Sequence, residues 1–150
     1  MGEQDLKHLL DLVSDAATAF INGDMHRYAE LIKHTSDYTL LAPYGGEPVR
    51  GFDDSEESLA ATARWFQGGR ATVQLVESYF SGDLAVLVLL EHNHGVVGGS
   101  PAQDWPLRVT LVFRREAGEW LLAHRHADPL LNRIDNDTAA ALARGTPPQP

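Results

Sequence analysis

The residue types best suited to chemistry lie near the end of the chain, where His124, His126 and Asp128 alternate along a predicted strand. Alternate residues of a strand share one face, so these three side chains are expected side by side. An imidazole titrates near neutral pH, which suits His126 to act as a general acid or base. Asp128 could orient a histidine or act as a base itself, and Arg108 on the preceding strand could hold a carboxylate or enolate oxygen. We therefore predict His126, Asp128 and Arg108 as the catalytic residues.

The turn that joins these two strands decides which side chains face each other. If residues 116–118 form a type I turn with a bulge, Thr110 faces His124 and Arg108 faces His126. If only the last two of those residues form the turn, the histidines share a face with the apolar residues of the partner strand. Alanine is unfavourable at the positive φ of a two-residue turn, so the sequence favours the bulged register. The cluster could also be structural, as a polar ladder at a dimer interface.

A second pair of imidazoles, His92 and His94, lies on an earlier predicted strand. Two such pairs suggest a metal site, since imidazole binds zinc, copper, iron and nickel. However, a strand over residues 107–115 is expected between the two pairs and would separate them by about 9–10 Å. One ion bound at about 2.1 Å per ligand cannot reach both pairs. We therefore expect no metal, and the predicted acid–base chemistry requires no cofactor.

Three aromatic residues, Tyr44, Trp65 and Trp105, are predicted to contact a ligand. Tyr44 lies in a loop rich in glycine and proline, where a large aromatic side chain has no obvious place in a core. Trp105 precedes a proline at the start of a strand and could cover the mouth of a cavity. Thr110 and His124, on the face of the catalytic candidates, complete the predicted binding residues.

The spacing of apolar residues predicts the elements that position these groups. Helical spacing, with caps at Asp24 and Asp53, is found at residues 3–21, 25–33 and 53–66, and Gly68 and Gly69 are expected to end the third helix. Strand patterns and a last short helix, capped by Asp137, follow at residues 37–42, 71–80, 84–94, 107–115, 120–128 and 137–144. The apolar run at 84–90 lacks alternation, which predicts burial on both of its faces.

These elements predict an α+β fold. Short turns between the last four strands favour antiparallel hairpins. The expected architecture is a curved antiparallel sheet with three N-terminal helices packed on one face. A cone-shaped hollow would lie between the two layers, and the other face of the sheet would be open to a partner.

Length and charge narrow the classes of function. The 150 residues fit one domain, which we place at residues 1–145, followed by a flexible tail at 146–150. The formal charge of −9 disfavours binding to nucleic acid or to an anionic membrane surface. The sequence has no cysteine, which excludes disulfides, thiolate metal sites and cysteine nucleophiles. Because no apolar run could span a membrane and no signal-peptide pattern is present, a cytoplasmic location is expected.

Three sequence motifs resemble the nuclear transport factor 2-like superfamily and, within it, the SnoaL-like branch. They are Phe-Ile-Asn-Gly-Asp at 20–24, Leu-Ala-Pro-Tyr-Gly-Gly-Glu-Pro-Val-Arg-Gly at 41–51, and Arg-Val-Thr-Leu-Val-Phe-Arg-Arg-Glu-Ala-Gly-Glu-Trp at 108–120, continued by His-Arg-His-Ala-Asp at 124–128. The resemblance covers roughly residues 5–128 and implies the cone-shaped fold. It implies no single reaction, because the superfamily includes isomerases, polyketide cyclases, dehydratases, epoxide hydrolases and non-catalytic association domains.

The resemblance narrows the function in one respect. Ketosteroid isomerases of this superfamily carry a tyrosine in the first helix and a general-base aspartate before the proline of the first strand. The matching positions here hold Ala16 and Ala42, which cannot move a proton, and this argues against steroid isomerisation.

Two classes of function remain. One is a homodimer that binds a hydrophobic, oxygenated small molecule, with cofactor-independent chemistry of the isomerase, cyclase, dehydratase or hydrolase type. The alternative is a non-catalytic ligand-binding or oligomeric association module, like the association domains of calmodulin-dependent kinases.

Overall fold

Three N-terminal helices and a curved seven-stranded sheet form the fold, as the apolar spacing predicts. The computed structural model describes residues 2–145, so the predicted flexible tail at 146–150 lies outside the described residues. The helices are α1 (Gly2–Ile21), α2 (Met25–Leu31), α3 (Glu56–Trp65) and α4 (Asn136–Ala143). The strands are β1 (His34–Leu41), β2 (Val49–Arg50), β3 (Phe66–Ser81), β4 (Leu84–Val97), β5 (Gln103–Asp104), β6 (Leu107–Glu116) and β7 (Glu119–Pro129). No helix within residues 2–145 has the length and hydropathy that crossing a bilayer requires.

Helix α1 buries one stripe in the core of the domain. Its residues Leu9, Val13 and Ala16 recur every three or four positions and are at most 4% exposed. This spacing is that of an amphipathic helix, whose apolar stripe faces the core. The predicted first helix is therefore confirmed.

The caps of the shorter helices differ from the sequence prediction. Asp24 makes no side-chain hydrogen bond at the start of α2. The cap of α3 is Ser55 rather than Asp53, and the cap of α4 is Asp135 rather than Asp137. Each of these two caps lies one position before the first helical residue, where its side-chain oxygen reaches the free N–H groups of the first turn.

The strand order is β2-β1-β7-β6-β4-β3, with β5 paired to β4. All neighbours are antiparallel except β1 and β7, which run parallel. Strand β6 lies between β4 and β7, so the predicted separation of the two histidine pairs by one strand is confirmed.

The two faces of the sheet have different surroundings. The inner face, which packs against the helices, carries side chains that are at most 3% exposed, among them Ala85, Leu87, Leu89, Val109, Leu111 and Phe113. The outer face carries the alternate residues of β4, and Val86, Val88 and Leu90 are only partly buried there. Within one chain the run at 84–90 is therefore buried on its inner side alone, and a second molecule would be needed to bury the other side.

Strand β3 begins before the point at which the sequence predicts the third helix to end. Gly68 and Gly69 were expected to end that helix, but they lie inside β3. Gly69 pairs with Gly95 of β4, and a Cβ at Gly69 would collide with the carbonyl oxygen of His94. Gly69 is therefore required by the close approach of two strands, and Gly68 by its φ of 123°, rather than by a helix end.

The hairpin between β6 and β7 has a two-residue turn, so the predicted three-residue turn is wrong. Ala117 and Gly118 take φ values of 51° and 81°, as a two-residue hairpin requires. A bulge inside the hairpin, at Ala123, inserts one extra residue into β7. The bulge restores the alternation, so Arg108 pairs with Asp128, two residues further along β7 than its predicted partner His126 and on the same face.

Candidate functional site

A large cavity separates the helices from the inner face of the sheet. Its volume is about 970 Å³, near the upper end of the range for small-molecule sites. Most of its wall is apolar, with Phe20 and Met25 from the helices and Leu111 and Phe113 from β6. Such a cavity could hold a largely apolar molecule of drug size.

The cavity has a buried ion pair in its wall on the sheet side. The Nη1 and Nη2 atoms of Arg125 each donate to a carboxylate oxygen of Glu91, both at 3.2 Å. The amide of Asn93 donates to the same carboxylate at 3.0 Å and to the backbone oxygen of Trp105 at 3.3 Å. Side-chain exposure is 7% for Glu91 and 23% for Arg125. Because Arg125 lines the cavity, its exposed part can meet a ligand there.

Both members of the pair are charged at neutral pH. Burial alone would raise the pKa of Glu91, but the charge of Arg125 and the hydrogen bonds from Arg125 and Asn93 outweigh it, so the pKa lies below its usual value. Burial opposes the charged form of Arg125 in the same way, and Glu91 reverses that effect and raises the pKa of Arg125. The carboxylate is therefore held deprotonated.

Two tyrosines stand in the cavity wall near the ion pair. Burial raises the pKa of Tyr28 well above its usual range and, to a smaller extent, the pKa of Tyr38. The Tyr28 hydroxyl lies 3.3 Å from Nε2 of His34. Among residues 2–145, the Tyr38 hydroxyl has no hydrogen-bond partner. Tyr38 therefore offers a free donor to an occupant of the cavity.

His34 lies behind these tyrosines, in a smaller cavity of about 420 Å³. Its ring stacks on Phe52 with 4.0 Å between centroids and meets Tyr38 edge-on at 4.5 Å. Burial lowers the pKa of His34 to about 4, although the charge of Asp54 acts in the opposite direction. His34 is therefore neutral at neutral pH and supports the wall of the larger cavity.

The predicted catalytic residues come together, but outside the cavity. His126 Nε2 lies 3.2 Å from Asp128 Oδ1, and Arg108 Nη2 lies 3.7 Å from Asp128 Oδ2. All three side chains are on the outer face of the sheet and about half exposed. On the sheet side, the wall of the cavity is formed instead by Arg125 and apolar residues of β6 and β7.

The predicted binding residues divide between the cavity and the outer face. Tyr44 and Trp105 line the cavity. Trp65 stands beside it, 47% exposed, and its indole N–H donates to the Tyr44 hydroxyl at 3.3 Å. Thr110 and His124 lie on the outer face, where His124 Nδ1 is 2.8 Å from Thr39 Oγ1.

The remaining histidine pair also makes local contacts. His92 Nε2 lies 3.1 Å from Gln74 Oε1, and His94 Nδ1 lies 2.7 Å from Asp104 Oδ1. Within residues 2–145, no group of three or more histidine, aspartate or glutamate side chains is arranged to hold a metal ion.

The buried polar residues of the cavity wall were not among those identified from the sequence, although the residue pattern of β4 could have indicated one of them. Glu91 continues the alternation of Ala85, Leu87 and Leu89, which places a carboxylate in a buried row. A buried carboxylate requires a cation nearby, and this could have directed attention to an arginine on the same face. Arg125 had no such signal, because its face depends on the bulge in β7.

The polar groups that the cavity wall offers to a ligand are mainly hydrogen-bond donors. The exposed part of Arg125 and the hydroxyl of Tyr38 can donate to an oxygen atom of a ligand. Among the described residues that line the cavity, none is a histidine, and the positions of Ala16 and Ala42 carry only methyl groups. The arrangement can therefore bind and orient an oxygen-bearing apolar molecule.

Comparisons with known proteins agree with this architecture. A family model described as SnoaL-like domain matches residues 9–131. An NTF2-like protein of unknown function from Pseudomonas putida KT2440 has a similar structure, with a TM-score of 0.63 and 18% identity over 92% of this chain and 93% of that one. A protein with a cystatin-like fold from Caulobacter vibrioides has a TM-score of 0.59 and 18% identity, over 93% and 97% of the two chains.

An association domain of a kinase also has a similar structure. The association domain of C. elegans CaMKII has a TM-score of 0.61 and 12% identity, over 84% of this chain and 96% of that one. No curated protein matches the sequence. At these identities, the similarity to solved structures establishes the fold alone.

Proposed function

The chain belongs to the SnoaL-like domain family of the nuclear transport factor 2-like superfamily, and on that premise we propose that it binds a small, largely apolar, oxygen-bearing molecule in the cavity. The observation that carries the proposal is the buried pair of Glu91 and Arg125 in an otherwise apolar wall. Replacing such a pair by apolar residues is often neutral or stabilising, so its presence is not explained by stability. Recognition of a ligand oxygen by Arg125 and Tyr38 explains it.

A thermal-shift screen tests this proposal. The panel contains flat aromatic ketones, terpenoids, epoxides and enolisable acids. A ligand at a hundred times its dissociation constant should stabilise the fold by about 2.7 kcal/mol. If no compound in the panel raises the melting temperature, the proposed ligand binding is contradicted.

A matched pair of variants shows whether a hit lies in the cavity. Tyr38→Phe removes one hydroxyl from the cavity wall and should weaken binding by a few-fold, which is the loss of one hydrogen bond of about 1 kcal/mol. Tyr79→Phe makes the same change at an exposed tyrosine of β3 and should leave binding unchanged. Equal effects of both variants would place the ligand elsewhere.

A second function, association between copies, is supported by the outer face of the sheet. The partly buried residues Val86, Val88 and Leu90 form an apolar row there, which Leu84, 45% exposed, continues. A contiguous apolar patch is typical of an interaction surface. We propose a homodimer through this face. Light scattering at micromolar concentration should find a dimer that Val88→Lys disrupts, and a monomeric wild-type protein would refute it.

The catalytic role of His126 is a separate proposal, because its cluster with Asp128 and Arg108 lies outside the cavity. A substrate held against the outer face would meet an imidazole that a carboxylate orients. Once the screen supplies a substrate, His126→Ala should lower its turnover, with His92→Ala as the control on the same face. Unchanged turnover would remove His126 from the mechanism.

A further inference from the structure

The charged groups around the cavity do not favour an anion. Five charged side chains line it, the carboxylates Asp53, Glu91 and Asp104 and the guanidinium groups Arg50 and Arg125. The carboxylates outnumber the cations by one, and the chain as a whole carries a formal charge of −9. An anionic ligand would therefore be repelled both at a distance and inside the cavity.

The cation deepest in the wall is already neutralised. Glu91 accepts from both terminal nitrogens of Arg125, in the side-by-side geometry that matches a carboxylate best. Of the five N–H donors of a guanidinium, two point at Glu91, and no other described residue accepts from the rest. The pair thus has no net charge, while Arg125 keeps hydrogen-bond donors that a ligand can use.

The carboxylate of the pair already has a cation as its partner, and three of its four acceptor sites are occupied. Both of its oxygens accept from Arg125, and one also accepts from Asn93. Asp53 and Asp104 are exposed and engaged with Ser55 and His94, so they offer no buried partner to an ammonium group. A cation entering the apolar cavity would lose its hydration without gaining an ion pair.

On the basis of the proposed function, we infer that the ligand is uncharged and presents a carbonyl oxygen, as a ketone or an ester does, to Arg125 and Tyr38. A carbonyl gains a hydrogen bond assisted by the charge of Arg125. Removing a neutral carbonyl group from water costs little free energy, whereas removing a carboxylate ion from water costs much more. The cavity volume of about 970 Å³ is large enough for several fused rings.

Three probes of equal size and different charge test the inference. They are 2-acetylnaphthalene, 2-naphthoate and 1-(2-naphthyl)ethylammonium, which have the same number of non-hydrogen atoms. Calorimetric titration at neutral pH should give a dissociation constant for the ketone that is at least about tenfold lower than for either ion. Tyr38→Phe should weaken ketone binding, and Tyr79→Phe should not.

A charge-neutralising variant should reverse the preference. Glu91→Gln leaves Arg125 as an unpaired cation, and binding of 2-naphthoate should then tighten by at least about tenfold. Glu77→Gln removes one charge from the exposed surface of β3 and should leave all three affinities unchanged. If Glu91→Gln does not fold, the order of the three probes on the wild-type protein decides alone.

The outcomes separate the inference from the proposed function. Tightest binding of the carboxylate or the ammonium probe, with dependence on Tyr38, would overturn the inference and leave the cavity as a ligand site. Absence of binding by all three probes, together with silence in the wider screen, would overturn the proposed function and the inference with it.

Discussion

Breaking the ion pair in the cavity wall should produce a large and asymmetric loss of stability. The perturbation is a double-mutant cycle on Glu91 and Arg125, with Glu91→Leu, Arg125→Met and the double variant. Removing Arg125 leaves a carboxylate that is 7% exposed, whereas removing Glu91 leaves a guanidinium that is 23% exposed and open to the cavity. The less exposed charge should be the more costly one to leave without a partner.

The magnitude follows from the geometry. Two unit charges about 4 Å apart attract each other by about 4 kcal/mol at an effective dielectric constant of about 20. Loss of one partner of a buried pair typically costs about 3–5 kcal/mol, and we expect Arg125→Met to fall in this range. Glu91→Leu should cost about 2–3 kcal/mol, because cavity water can solvate Arg125. The double variant should lie within about 1 kcal/mol of the wild type.

Urea unfolding at neutral pH, with the slope and the midpoint fitted together, measures these differences. The pH dependence supplies an independent check. In the wild type the pKa of Glu91 lies below its usual value, so its contribution to stability is lost as the pH falls below about 4.5. In Arg125→Met only the hydrogen bond from Asn93 still opposes burial, so that pKa should rise. The folded state then binds the extra proton, and stability should rise as the pH falls through the raised pKa.

Two results would refute this reasoning. One is a loss of less than about 1 kcal/mol in Arg125→Met, which would mean that Glu91 is well solvated without its partner. The other is a pH slope of the same sign in Arg125→Met and the wild type, since the charge of Arg125 would then not control the protonation of Glu91.

Three further predictions concern groups outside the ion pair. Burial lowers the pKa of His34 to about 4 from 6.5, so the unfolded chain binds more protons between these values and stability should fall as the pH drops from 7 towards 4. His34→Phe should reduce that loss in urea midpoints at pH 7 and 5, and an equal effect of His8→Phe would contradict the assignment. Ala117→Gly should raise stability by about 1 kcal/mol in thermal unfolding, since alanine is strained at a φ of 51°, and a lowered Tm would contradict this. Ser55→Ala should cost about 1 kcal/mol by removing the cap of α3, and Ser81→Ala at an exposed strand end should cost less.

The order of helices and strands could be predicted because apolar spacing is a local property of the chain. Leu9, Val13 and Ala16 mark the buried stripe of α1 before any partner is known. The start of β3 could not be found in this way. Gly68 and Gly69 have the composition of a helix end, and only the close approach of β4 shows that they belong to a strand.

The sequence prediction places His126 on the same face of the sheet as Arg108, and this is correct only because two features of the hairpin, its turn and its bulge, compensate for each other. The two-residue turn at Ala117 and Gly118 alone would have placed His126 on the inner face. The bulge at Ala123 returned it to the face of Arg108 and turned Arg125 inward. A bulge is set by the packing of neighbouring strands rather than by a local pattern, so the residue that lines the cavity could not be distinguished from its neighbours.

The parallel pairing of β1 with β7 has a consequence for the order in which the chain can fold. Thr39 meets His124, which lies 85 positions later in the sequence. Closing such a long loop must precede the gain from the contacts that it brings together, so this pairing is expected to form late and to slow folding. During synthesis the apolar stripe of α1 has no sheet to cover it until the later strands have been made. The emerging chain is thus most prone to aggregation before its last hairpin is complete.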